Sequence, residues 1–166
     1  MVPAAMTVAI LAISDPGDEI ILLRPYYFNH EMAINMINCK AVTVDTDSNY
    51  QPCLEKIIAA VNSKTRAIVT VSPNNPTGFQ FSNKDLEKLI KSFSGPIIID
   101  EAYGEFSNSS VLSLVKKYPN VILVKTLSKA FGLAGLRIGY MIADKKFTEV
   151  FSNVIQYPLS LIHISE

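Results

Sequence analysis

An α/β fold, with helices covering a mostly parallel sheet, is what three features of the 166-residue sequence predict. Short apolar runs alternate with helix-like stretches along the chain. Several of the runs are apolar at nearly every position, as strands buried on both faces must be. Proline and glycine punctuate the ends of the helical segments.

Taken in order, Met1 to Ile13 reads as a core helix that ends in the turn Asp15-Pro16-Gly17-Asp18; it lacks the basic leader of a signal peptide. Glu19 to Leu23 is the first strand, followed by a helix from Asn29 to Ile37 and a strand from Ala41 to Val44. A helix over Gln51 to Val61 leads to the strand Ala67 to Val71. Ser82 marks the start of a helix over Asn83 to Phe93, because its hydroxyl can cap free amides. The strand Pro96 to Ile99, the helix Val111 to Lys117, the strand Val121 to Lys125 and a last strand from Arg137 to Ile142 complete the pattern.

Composition narrows the function. A chain that is 49% hydrophobic and 18% charged, with nine prolines, is one globular unit with a real core. Fifteen basic and fifteen acidic residues give no global field for nucleic acid or an anionic membrane, so any anion must be held by local groups. Cys39 and Cys53 form neither a metal cluster nor a redox pair, and are expected to be reduced and buried in a cytoplasmic protein.

In open sheets of this kind ligands bind beyond the carboxyl ends of the strands, and four such ends carry unusual chemistry. Past Val121 to Lys125 comes Lys129, with the Ser128 and Thr126 hydroxyls one and three residues before it and the Arg137 guanidinium eight after. A primary amine beside anion donors suits pyridoxal phosphate, whose aldehyde needs an amine and whose phosphate needs fixed donors. An isolated lysine is ordinarily a solvated surface charge; the context argues otherwise.

Asp100 ends the run Pro96 to Ile99, which aims its carboxylate from a rigid support, suited to a pyridinium nitrogen. The alternative is a cap on the segment starting at Glu101. Tyr103 offers a hydroxyl to a phenolic oxygen, or simply packs. Asn75-Pro76-Thr77-Gly78 is a turn by composition, in which the Asn75 amide is a further donor. Tyr27 offers a ring face for stacking, and His30 is a candidate support for Asp100.

The set Asn75-Pro76-Thr77-Gly78, Asp100-Glu101-Ala102-Tyr103 and Ser128-Lys129 through Tyr140 resembles the class I/II aminotransferases, pyridoxal-phosphate enzymes of fold type I, in order and spacing. Asp100 to Ala143 is especially similar to histidinol-phosphate aminotransferases, whereas Pro25 to Glu31 reads more like aspartate-type members. The resemblance covers roughly Pro3 to Ser152 and implies a three-layer α/β fold around a mostly parallel sheet, the large domain of such an enzyme without its small domain. It further implies that Lys129 holds the cofactor and shuttles the substrate proton. Asp100 would face the ring nitrogen, Asn75 and Tyr103 the phenolic oxygen, and Tyr27 the ring, while Thr126, Ser128 and Arg137 would bind the phosphate.

The implied reaction moves an amino group between an amino acid or histidinol phosphate and a 2-oxo acid, in an enzyme that is ordinarily a homodimer. Decarboxylases of phosphorylated amino acids resemble the same motifs, and a non-catalytic α/β binding domain is the reading from another class. Relatives are more than twice as long, so residues 1–157 are expected to be part of a large domain, poorly soluble without its cover. Residues 158–166 do not resemble the family's continuation and are set apart as a tail.

Overall fold

A computed structural model describes residues 4–154. Its centre is a six-stranded sheet in the order β2-β1-β3-β4-β5-β6. The strands are β1 (Glu19–Arg24), β2 (Lys40–Asp45), β3 (Thr65–Val71), β4 (Ile97–Asp100), β5 (Val121–Thr126) and β6 (Gly139–Ile142). All pairs are parallel except β5 with β6. The continuous apolar runs occupy the middle of the sheet, where burial on both faces rewards them, and β4 is buried throughout. The edge strands β2 and β6 are more exposed.

Successive side chains on a strand point to opposite faces, so each buried strand feeds two cores. Ile97 and Ile99, with Leu123, join one core under α3 (Leu54–Ala60), α4 (Asn83–Ser92) and α5 (Leu112–Lys117). Ile98, with Ile122 and Val124, joins the other under α1 (Ala4–Ile13), α2 (Phe28–Met36) and α6 (Lys145–Val154). The result is the expected α/β sandwich of three layers. Ser82 starts α4 as expected: its Oγ accepts from Asp85 N at 3.0 Å and donates to the Asp85 carboxylate at 2.6 Å.

Four details differ from the sequence expectation. The last strand begins at Gly139, because Ala134–Leu136 forms a 3-10 turn closed by Arg137 in the left-handed region. The helix expected over Gln51 to Val61 is the shorter α3, since Gln51 is spent on the preceding loop, its backbone N–H and C=O both bonded to Asp47. Helix α6 was not anticipated. Cys39 is buried, but Cys53 is only half-buried; both are free thiols. Residues 158–166, set apart above, lie outside the described residues.

The chain leaves β1 toward β2 on one side and returns to β3 on the other, so the direction of winding reverses at β1 and β3. Such a reversal parts the connecting loops and opens a crevice at the carboxyl ends of the strands.

On the far layer, Glu87 of α4 ties that helix to the end of α5, accepting from Lys117 Nζ at 2.7 Å and from the Tyr118 hydroxyl. Lys117, then Tyr118 and Lys91, hold its carboxyl at about 2, below the ordinary 4.5. A depressed carboxyl stabilises the fold above its ordinary range and loses that contribution as pH falls toward the folded value. Glu87→Gln should therefore melt below the parent at neutral pH, with the gap steady down to about pH 5 and closing from there toward about pH 2. Thermal melts across that range check this; a gap of constant size would refute it.

Candidate active site

The eight residues expected to contact the cofactor line one cavity of about 990 Å³, while His30 meets Asp100. They arrive on the loops that follow β1, β3, β4 and β5, where the crevice opens. The volume lies at the upper end of the range for small-molecule sites, about 300 to 1,000 Å³.

Asp100 is the last residue of β4 and shares its face with Ile98, which turns it toward the layer containing α2. Its Oδ2 lies 2.9 Å from His30 Nε2, and both side chains are buried. Its Oδ1 accepts from Ala102 N at 2.9 Å. Asp100 therefore caps the following turn, as one sequence reading had it, and also lines the cavity. His30 also meets the ring of Tyr27 edge-on, centroids 5.7 Å apart. Tyr27 is held at its other end by Asn29, whose Nδ2 donates to the phenolic oxygen at 2.8 Å.

Two loops from neighbouring strands meet at Asn75 and Tyr103. Asn75 Nδ2 donates to Tyr103 Oη at 3.2 Å, and Lys129 Nζ lies 5.3 Å from the centroid of the Tyr103 ring. Thus the amine, the amide and the phenol are neighbours although they come from three strand ends. The turn after Asn75 behaves as its composition suggested, with Gly78 at φ +72°.

On the opposite wall Thr126 ends β5, and its hydroxyl accepts from Ser128 N at 3.1 Å, bending the chain toward Lys129. Arg137 sits at φ +57°, a conformation that costs a non-glycine residue on the order of 1 kcal/mol or more and is retained where the surroundings impose it. One of its nitrogens donates to Ala134 O at 3.2 Å and the residue stays exposed.

Three contributions escaped the sequence reading. Asn74 is buried and joins the first two loops: its Nδ2 donates to Pro25 O at 2.6 Å, and its Oδ1 accepts from the Thr77 hydroxyl at 2.8 Å. Ala5 and Val8 of α1 and Phe151 of α6 supply apolar lining. Glu101 lies behind Tyr103 in an ion pair with Lys125, 2.9 Å away, while Lys125 also meets Glu105 at 2.7 Å. Burial opposes the lysine's charge, yet the Glu105 and Glu101 carboxylates hold it above the usual lysine value. The available signal was two charged residues, Glu101 and Lys125, at the ends of adjoining apolar runs.

The arrangement offers an amine able to bond a carbonyl, a buried carboxylate backed by imidazole, two neutral donors side by side, and hydroxyls with a guanidinium for an anion. Among the described residues, no group of three or more His, Cys, Asp or Glu could hold a metal ion.

The sequence model of the family described as aminotransferase class I and II matches residues 3–161. The chain belongs to this family. The histidinol-phosphate aminotransferase of Flavobacterium johnsoniae is 41% identical over 147 residues, 86% of this chain and 42% of that protein. The aromatic amino acid aminotransferase of Rhodococcus opacus is 36% identical over 147 residues, 86% of this chain and 41% of that protein. Among solved structures, a single mutant of Thermus thermophilus aspartate aminotransferase superimposes with a TM-score of 0.83 at 29% identity, over 90% of this chain and 41% of that one. This aminotransferase-family chain therefore spans about two-fifths of the length of these relatives. Among its described residues, no helix is long and apolar enough to cross a membrane.

Asn74→Ala leaves Pro25 O and the Thr77 hydroxyl without their buried partner, which should cost about 1–3 kcal/mol. Chemical denaturation checks this; a loss below about 0.5 kcal/mol would mean that the two loops hold together without Asn74.

Proposed function

We propose that this chain forms part of the large, cofactor-binding domain of a pyridoxal-phosphate-dependent aminotransferase, with residues 1–157 as that part. Its reaction moves an amino group between an amino acid or histidinol phosphate and a 2-oxo acid. The observation that carries the reading is the buried Asp100 carboxylate, backed by His30 and lining the same cavity as the Lys129 amine. The donor set fits the cofactor: an acid for the ring nitrogen, the Asn75 and Tyr103 donors for the ring oxygen, and hydroxyls with a guanidinium for the phosphate.

When bound, pyridoxal phosphate supplies an aldehyde for the amine and a ring that withdraws electrons from the substrate's α-carbon. The protein's share is positioning and proton traffic. Lys129 Nζ is the amine that anchors the aldehyde and the base that moves the proton at the α-carbon. Asp100 holds a proton on the ring nitrogen through a charge-assisted hydrogen bond, and His30 keeps the carboxylate in place. Asn75 and Tyr103 would donate to the ring oxygen, and Tyr27 would offer its face to the ring. Thr126, Ser128 and Arg137 bind the phosphate, with Arg137 able to make a forked contact that lysine would not reproduce.

Transamination is preferred to decarboxylation or non-catalytic binding because the family match and the named relatives are aminotransferases. We place the intact enzyme in the cytoplasm as a homodimer, the state in which the family resemblance puts its site at a subunit boundary.

Incubation with pyridoxal phosphate, borohydride reduction and peptide mapping tests this reading. Label is expected at Lys129 and should vanish in Lys129→Ala; label spread over surface lysines would overturn it. Asp100→Asn removes a charged hydrogen bond worth about 1.5–3 kcal/mol, so cofactor affinity should fall by roughly 10-fold to 100-fold in an absorbance titration.

A further inference from the structure

We infer that Glu101 is a positioning residue, whose buried carboxylate ties the turn carrying Tyr103 to the strand that leads to Lys129 and so keeps the Tyr103 hydroxyl directed into the cavity. The inference rests on the functional reading above for what that hydroxyl meets.

Register brings the partners together. Asp100 lies opposite Val124 in the β4–β5 ladder, and Glu101 N donates to Val124 O at 2.9 Å, so Glu101 and Lys125 follow as neighbours. Alternation then turns Glu101 away from the face that Asp100 occupies. Its side chain has no exposure. Oε1 accepts from Val111 N at 2.8 Å, and Oε2 accepts from the Ser110 hydroxyl at 2.9 Å and from Lys125 Nζ at 2.9 Å.

One carboxylate thus clasps both ends of the segment from Ala102 to Val111 and fastens it to β5, four residues before Lys129. Tyr103 lies inside that clasp. Contact is direct as well: a Cβ on Gly104 would stand 2.4 Å from Glu101 Cγ, so the turn rests on the stem of the acid and only glycine fits there. Lys125 lines the cavity too, which places the clasp at the wall of the site.

Stability alone is a poor reason for such a group. A buried ion pair is often no more stabilising than well-packed apolar side chains of the same volume. Its directional bonds, however, set geometry that apolar packing leaves freer. The beneficiary is the turn bearing the hydroxyl that Asn75 meets at 3.2 Å.

Glu101→Gln keeps the shape and removes the charge; Lys125→Met removes the partner; Lys125→Arg retains it. In the cofactor-free chain, amide hydrogen exchange over residues 102–110 should quicken about tenfold or more in the first two variants and stay near the parent rate in Lys125→Arg. With pyridoxal phosphate bound, the pH midpoint of its visible absorbance should rise by roughly half a pH unit or more in the first two variants, because the Tyr103 donor is loosened, and return in Lys125→Arg. Unchanged exchange would overturn the clasp. Faster exchange with an unmoved midpoint would overturn the positioning role and leave a structural one. A parent chain that takes no cofactor would sink the functional reading, and the exchange arm would then uphold or overturn the clasp alone. Should Glu101→Gln fail to fold, Lys125→Met decides the same questions.

Discussion

A carboxylate buried at the end of an otherwise apolar strand is costly unless it is hydrogen-bonded, and the His30 imidazole, 2.9 Å from Asp100, is its side-chain partner. The pair constrains much else. It requires α2 to follow β1 closely enough to place His30 over the end of β4, two strands away in the sheet. That demand is met because β1 and β3 are adjacent and the chain winds in opposite directions from them. Tyr27, packed edge-on to the same imidazole, is fixed by the same requirement. The crevice, the acid and the placement of the Tyr27 ring thus follow from one arrangement of strands.

The central sheet was legible because Ala67 to Val71, Ile97 to Ile99 and Val121 to Val124, within β3, β4 and β5, are almost wholly apolar, a pattern with few alternatives in a chain of this size. The strand ends were legible for the same reason: Asp100 and Lys129 stand out against what precedes them. Boundaries governed by loop bonding were not. Gln51 looks like helix until its backbone is seen bonded to Asp47, and Arg137 looks like strand until its left-handed backbone is seen. Glu101 and Asn74 were hidden for another reason. Each sits beside a residue of greater chemical interest, and its partners are brought in by register and loop closure, which no local pattern encodes.

The relatives fit this division of labour. Proteins named for histidinol phosphate and for aromatic amino acids match the chain to similar degrees, 41% and 36%. The motifs that carry the resemblance sit at the ends of sheet strands and, in the proposed reading, face the cofactor, whose demands are common to every member of the family. What differs between amino donors is then expected to reside mainly in other parts of the enzyme. Phe131, Leu133, Leu136 and Ile138 are exposed, and Ile138 lines the cavity.

The antiparallel pairing of β6 has a further effect. Because β6 runs against β5, the chain quits the sheet and re-enters it at the same end, and everything from Thr126 to Gly139 is one excursion over the crevice. A parallel sixth strand would have sent the chain to the far end and separated these groups. Amine, hydroxyls and guanidinium therefore behave as a single cassette. Lengthening or shortening this excursion would disturb all of them together, whereas a change of length in the crossover through α3 would reach none.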